Sequence, residues 1–274
     1  MTSNISPEVE TQAQFPHQEG DELYNELGHQ ANILTNRGKL HQAPLSDPKS
    51  VVDLGCGSGV YSLELAKKYP SCQVLGIDLN PGKDPSDVPN CKFAIGDIND
   101  NWNWFPEQQV DFIVIRGLFG FVNSWHEILR KAFSRLAPGG WVEVFDIGYI
   151  TTSDDGSYST AKGLVRFDNL FKKVLEQLKQ DLELFPVLDQ VLSDIGFQNS
   201  SVTKRKLPFS DFSDDPEMKE IVPVSSKLHE MDTTIIVERG LQPMLNLPAE
   251  EVESVLSDAF ADMRDTKVHA YRNG

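Results

Sequence analysis

Cysteine, positive charge and long apolar runs are all scarce in this chain. Its 274 residues include three cysteines, Cys56, Cys72 and Cys91. Their spacing fits no metal-ligand pattern and their odd number cannot pair completely, so neither a disulfide scaffold nor a thiolate metal centre is expected. Lysine and arginine number 25 against 41 aspartates and glutamates, a formal charge of −16. Nucleic-acid binding needs clustered basic groups to neutralise phosphate, and the best run here is only Lys204-Arg205-Lys206, so no direct nucleic-acid partner is expected. No stretch approaches the ~20 apolar residues of a membrane span. Residues 1–20 have neither the basic start nor the apolar core of a signal peptide. The expectation is a cytoplasmic protein with reduced thiols and no membrane partner.

Polar, aperiodic residues 1–20 read as a disordered tail. A helix is expected over Asp21 to Asn36, and the prolines from Pro44 to Pro48 mark the entry to the first strand. Strand and helix patterns then alternate. Strands are read at Val51–Leu54, Gln73–Ile77, Lys92–Ile95, Asp111–Ile115 and Trp141–Ile147. Helices are read at Val60–Tyr69 and after the S-x-x-E capping box of Ser124 and Glu127. Near-continuous apolar strands alternating with helices imply a doubly wound α/β fold, a mostly parallel sheet covered on both faces. Further along, helices are expected over Leu164–Leu182 and Leu188–Ile195, a sixth strand over Ser201–Leu207, and a mostly helical stretch from Pro208 to Met263 that would serve as a lid.

The segment Val51 to Gly59, VVDLGCGSG, runs from a buried strand into glycines at alternate positions. Glycine permits positive φ and lets the backbone approach a ligand closely, with its N–H groups turned toward it. The dinucleotide pattern G-x-G-x-x-G would place its third glycine at Val60, but it falls one residue early, at Gly59, which weakens a nicotinamide-cofactor reading. Ligands in open parallel sheets bind beyond the carboxyl ends of the strands. There the chain places Asp53, Asp78, Asp97, Arg116, Glu143 and Asp146, one group or pair per strand. Asp78 follows Gly59 at about 20 residues, the distance at which an acid meets two ribose hydroxyls. Asp97 suits an exocyclic amine with Ile98 against the base, although acids are also common in loops after strands.

These motifs resemble class I S-adenosylmethionine-dependent methyltransferases, whose first motif is an acid followed by G-x-G-x-G, here Asp53-Leu-Gly55-Cys-Gly57-Ser-Gly59. Five further segments are similar to the fungal LaeA-like methyltransferases of secondary metabolism: HQANILTNRGKLHQAP, KKYPSCQVLGIDLNP, VPNCKFAIGDINDNW, VDFIVIRGLFG and LAPGGWVEVFD. The resemblance implies a Rossmann-like fold with S-adenosylmethionine as cofactor. Asp53, Gly55, Cys56, Gly57, Asp78, Leu79, Asp97, Ile98 and Arg116 would bind it, with Arg116 beside the methionine moiety. It also implies a division into a helical cover over residues 21–48, a cofactor core over 49–150, and a C-terminal part, 151–274, capping the substrate site. Relatives continue past the segment at His269-Ala270 into a long final strand, so the last strand here is expected to be short or missing.

Methyl transfer demands alignment more than acid–base chemistry, and no general base stands out. Glu143, Asp146 and His29 are candidates, with His229 by residue type alone. Trp102, Trp104, Phe119, Phe121 and Trp141 either wall a flat substrate or form ordinary core. The leading expectation is methyl transfer to a small molecule. Two alternatives stand beside it: a cofactor-binding regulator acting through protein partners, which would also fit a nuclear location, and a rearrangement or cyclisation without methyl transfer.

Overall fold

The computed structural model describes residues 21–178 and 184–274. The tail expected over residues 1–20, and residues 179–182 of the helix expected from Leu164, lie outside the described residues. Helix α1 (Asp21–Thr35) is followed by strand β1 (Ser50–Leu54), α2 (Val60–Lys68), β2 (Gln73–Asp78), β3 (Cys91–Ile95), β4 (Val110–Arg116), α3 (Trp125–Arg135) and β5 (Leu136–Phe145). All five strands are parallel, in the order β3-β2-β1-β4-β5. Successive strands move outward on one side of β1 and then on the other, so the order reverses between β1 and β4.

Alternation along the central strands assigns each face its helices. Val52 and Leu54 of β1, with Ile113 and Ile115 of β4, pack with Ile128 and Leu129 of α3. Val51, Phe112 and Val114 turn the other way, onto Tyr61 and Leu65 of α2. The period of two therefore divides one strand between two cores. Ser124 caps α3, its hydroxyl accepting from the Glu127 N–H at 3.3 Å.

Beyond β5 the chain forms α4 (Lys162–Gln177), α5 (Leu184–Ile195), β6 (Lys206–Pro208) and α6 (Pro216–Ile235), which runs through a π-helical turn at Ile236–Leu241 into α7 (Gln242–Leu245). Helix α8 (Ala249–Arg264) and β7 (Tyr271–Asn273) complete it. Helix α5 lies beside α3 on the sheet, whereas α4, α8 and the π turn share a separate core of Phe167, Phe171, Val237, Val255 and Ala259. Helices α1 and α6 pack together through Leu27, Ala31, Ile221 and Leu228. Pro223 and Pro243 interrupt the ladder of this second half, each removing one N–H.

Two strands depart from their expected ranges by several residues, and the last strand is short, as expected. β5 begins at Leu136, before Pro138-Gly139-Gly140, because Leu136 pairs with Val110 and the register then slips until Trp141 meets Phe112. The sixth strand is limited to Lys206–Pro208, paired with antiparallel β7, and the ladder is closed by two hydrogen bonds exchanged between Arg205 and Gly274, both at 2.8 Å. β7 is short but present: Asn273 accepts from the Gly148 N–H at 2.7 Å, and Tyr271 exchanges two hydrogen bonds with Thr152.

Helices α4 and α8 approach closely at Gly163, where an added Cβ would stand 2.3 Å from the Asp258 carbonyl group, while Asp262 accepts from the N–H groups of Gly163 and Leu164 at 2.7 and 3.0 Å. The obstacle is backbone and cannot swing away. Gly163→Ala is therefore expected to destabilise the fold by about 1–3 kcal/mol, the usual range for overpacking, as measured by urea denaturation; an unchanged midpoint contradicts the close approach.

Candidate functional site

Beyond the carboxyl end of β1, Gly55, Gly57 and Gly59 adopt φ of +71°, +54° and +85°. A Cβ at Gly55 would lie 2.5 Å from the Leu118 side chain, and one at Gly57 3.3 Å from that of Asn25. The turn is stabilised from within: the N–H groups of Gly55 and Cys56 donate to the Ile77 carbonyl at 2.8 and 3.0 Å, and that of Gly57 to Asp78 Oδ2 at 2.9 Å. This corrects the expectation that these amides face a ligand. Their bonds go to β2, and the loop's contribution to the cavity is bare backbone.

A cavity of about 460 Å³ opens at this edge of the sheet, where the strand order reverses. Of the residues expected to bind a cofactor, Gly55, Cys56, Gly57, Asp78, Leu79, Asp97, Ile98 and Arg116 line it; Asp53 does not. Asp53 shares the α2 face of β1 with Val51 and is 1% exposed, its Oδ2 accepting from the Ser62 hydroxyl at 2.6 Å. Burial raises its pKa and the Arg116 charge opposes that rise. It lies under the wall as a counter-charge. Cys56 is a buried thiol whose pKa burial pushes up, so it offers no nucleophile.

Asp78 accepts one N–H on each oxygen, Gly57 on Oδ2 and Asn80 on Oδ1 at 3.0 Å, which orients its plane and leaves a lone pair on both. Past β3, Asp97 accepts from the Asn99 N–H at 2.8 Å, and the Asn99 side chain joins this loop to the next, donating to the Phe121 carbonyl and accepting from the Asn123 N–H, both at 2.9 Å. At the end of β4, the Arg116 guanidinium carbon lies 3.7 Å from the centre of the Tyr61 ring, and Nη1 lies 3.3 Å from His29 Nδ1. Its Nε is buried with no hydrogen-bond partner among the described residues. Burial lowers the Arg116 pKa, while Asp53, Tyr61 and Glu143 act to raise it.

Of the four candidate catalytic groups, Glu143, Asp146 and His29 are placed differently from one another, and His229 lies on the far wall of the cavity. Glu143 lies outside the cavity: its Oε2 accepts from the Gln42 and Ala43 N–H groups at 2.7 and 2.8 Å, anchoring the segment before β1. Asp146 lines the cavity but holds its floor, accepting from the Leu118 N–H on Oδ2 and from Ile147 on Oδ1, both at 2.9 Å. His29 also lines the cavity. Arg116 has only donors, so His29 Nδ1 accepts, and Nε2–H donates to Glu64 at 3.2 Å. Burial and then the Arg116 charge lower its pKa. With both nitrogens engaged, His29 is not poised to take a proton.

The expected aromatic wall is mostly core. Trp102 and Trp104 pack with Phe105, Trp141 lies against the α2 side of the sheet, and Phe121 lines the cavity; the side chain of Phe119 lies outside the described residues. The opposite wall comes from the helices expected as cover and lid, of whose cavity-lining residues only His29 and His229 were candidates from the sequence. Helix α1 supplies Tyr24, Asn25 and Asn32; α6 and the π turn supply His229, Asp232 and Arg239. A signal existed in α1, where Asn25, His29 and Asn32 form a polar stripe at i, i+4 and i+7. Among the described residues, no cluster of His, Cys, Asp and Glu could hold a metal ion, and no helix is long and apolar enough to cross a membrane.

Residues 28–180 match a family model described as a methyltransferase domain. The chain is 46% identical over 272 residues to methyltransferase cpsF of Aspergillus campestris, covering 95% of either protein. It is 27% identical over 277 residues to the secondary metabolism regulator LAE1 of Cochliobolus heterostrophus, covering 94% of this chain and 86% of that one. Among solved structures, a SAM-dependent methyltransferase from Geobacter sulfurreducens in complex with S-adenosylhomocysteine is similar at a TM-score of 0.45 and 15% identity, with 88% of each chain covered.

One wall residue makes stability depend on pH. Burial, reinforced by the Arg272 charge, pushes the His229 imidazole from 6.5 down to about 3. Between those values the unfolded chain binds a proton that the folded chain does not, so stability rises with pH and is lost on acidification. Between pH 6.5 and 5, His229 is expected to contribute a fall of up to about 1.4 kcal/mol per pH unit. Urea midpoints should show that limb flattened in His229→Gln, which keeps an N–H for the backbone; an identical limb in the variant contradicts the assignment.

Proposed function

The chain belongs to the methyltransferase domain family, and from that premise we propose that it binds S-adenosylmethionine in the cavity at the strand ends and methylates a small-molecule acceptor there. The observation that carries the reading is the set of groups converging on one hollow: bare backbone at Gly55 and Gly57, carboxylates at Asp78 and Asp97, and a buried cation at Arg116.

The donor set matches the cofactor part by part. Asp78 has a lone pair left on each oxygen for the two ribose hydroxyls. Asp97 can accept from the adenine amino group with Ile98 and Leu79 against the ring, and the unpartnered Nε–H of Arg116 suits the methionine carboxylate. Gly55 and Gly57 keep this turn as bare backbone at positive φ, where a Cβ would press on Leu118 and Asn25. When bound, the cofactor supplies a methyl carbon made electrophilic by a positively charged sulfur.

The residues of the chain then have to align an acceptor with that carbon and keep water out. Orientation of this kind lowers a barrier by about 7–11 kcal/mol in well-aligned systems. Helices α1 and α6 supply it by covering the cavity opposite the sheet, tied together where the Tyr24 hydroxyl donates to Asp232 at 3.3 Å. A second reading, a cofactor-binding regulator acting through protein partners, draws support from the likeness to LAE1 along most of the chain.

Calorimetric titration with S-adenosylhomocysteine is expected to show binding that Asp78→Ala weakens by about 1.5–3 kcal/mol, roughly 10- to 150-fold; equal affinities remove Asp78 from the ribose. Incubation with methyl-labelled S-adenosylmethionine and a fungal metabolite extract is expected to label a small molecule, whereas label confined to protein favours the second reading.

A further inference from the structure

Away from the carboxylates of the strand ends, the α6 wall of the cavity presents two hydrogen-bond acceptors about one turn apart. His229 and Asp232 stand at i and i+3 on one face of α6, and both line the cavity. The His229 ring is 1% exposed and its Nε2 lies 3.1 Å from the Leu207 carbonyl oxygen. A carbonyl only accepts, so Nε2 carries the proton and Nδ1 is left as a lone pair. The ring stays neutral, since burial and the Arg272 charge hold its pKa at about 3.

Asp232 is fixed from behind. Arg272, 0% exposed, donates from Nη1 to Oδ2 at 2.9 Å, and the Tyr24 hydroxyl donates to Oδ1 at 3.3 Å. The same guanidinium reaches Asp168 of α4 at 3.4 Å, so one buried cation serves two carboxylates. Asp232 keeps 18% of its side chain exposed, and both its oxygens retain a lone pair beyond the bond in use. Leu118, Phe121, Ile147, Leu228, Ile235 and Ile236 make much of the surrounding surface apolar. Arg239, on the same wall, has partners already.

Resting on the reading of this cavity as a methyl-transfer site, we propose that His229 and Asp232 form an amine-binding site, in which His229 Nδ1 and the Asp232 carboxylate accept the two N–H bonds of a primary amine carried on a largely apolar molecule. Counting hydrogens decides the class. A neutral primary amine has two N–H bonds and one lone pair, so two acceptors hold both hydrogens and leave the lone pair free as nucleophile. A hydroxyl has one hydrogen and leaves one acceptor unpaired, which is unfavourable in a buried site. A carboxylate or phosphate brings like charge against Asp232 and Asp146. An amine also suits a wall without a strong base, because its lone pair is available once the third proton of the ammonium form has gone to water, whereas a hydroxyl has to lose its only proton.

The test compares 2-phenylethylamine with its matched alcohol, 2-phenylethanol, titrated calorimetrically into the protein saturated with S-adenosylhomocysteine. The amine is expected to bind the parent at least about tenfold more tightly than the alcohol. In Asp232→Asn the preference is expected to shrink to about twofold or less, and His229→Phe is expected to weaken amine binding about tenfold. Titration of each sample with S-adenosylhomocysteine serves as the folding control and also distinguishes loss of the cofactor site from loss of the amine site. A parent that does not bind it overturns the methyl-transfer reading and this site with it. A parent that binds it but takes both probes equally, prefers the alcohol, or takes neither overturns the amine site alone, and so does a preference unchanged in both folded variants. The parent comparison decides the matter even where a variant does not fold.

Discussion

A buried arginine at the end of β4 holds the cavity edge of the sheet together. Arg116 lies against the Tyr61 ring of α2, beside His29 of α1, and within the electrostatic reach of Asp53 on β1. An unpaired cation in this position would carry a large desolvation penalty, so the surrounding carboxylates and the ring face are conditions of its burial. Through them one guanidinium brings two strands and two helices to a common point. His29 then bridges Arg116 to Glu64, which seats α1 on α2 and sets the helical side of the cavity against the glycine turn.

A second buried arginine repeats the device on the other side of the cavity. Arg272 lies between Asp168 of α4 and Asp232 of α6, with its Nε near the Thr151 hydroxyl at 3.4 Å. The short strand that carries it pairs with β6 and with Thr152, so the C-terminal segment is both a sheet edge and an anchor for the helices over the cavity. Burial pushes the pKa of Asp168 and Asp232 up and the Arg272 charge works against that rise, which makes the cluster interdependent. Tyr24 joins it from α1, so the cover over the cavity is tied to both arginines, by His29 at one end and Tyr24 at the other.

Much of the fold was legible because parallel strands buried on two faces leave a simple trace. β1, β2 and β3 differ from their expected ranges by one residue at one end and β4 by one at each end, and the capping residue Ser124 was visible in the same way. Asp78, Asp97 and Arg116 line the cavity because each follows a strand in an open parallel sheet, and the fold itself gathers that edge into one hollow. Asp53 and Glu143 obeyed the same positional logic and still face elsewhere, one onto Ser62 and the other onto the backbone before β1. A strand's period assigns a side chain to a face, and two residues at one end of the sheet can sit on opposite sides of it.

By itself, the sequence determined the alternating strands and helices, the glycine turn after β1 and the polar residues at the strand ends, because each depends on neighbours within a few positions. Only the tertiary structure decided which loop amides bond to β2, which acids face the cavity, and that α1 and α6 meet across it to bring Tyr24, His229 and Asp232 to one wall. Tyr24 and Asp232 are 208 positions apart. No local pattern encodes such a pairing; it follows from which apolar faces cover one another and from where two buried cations find their carboxylates.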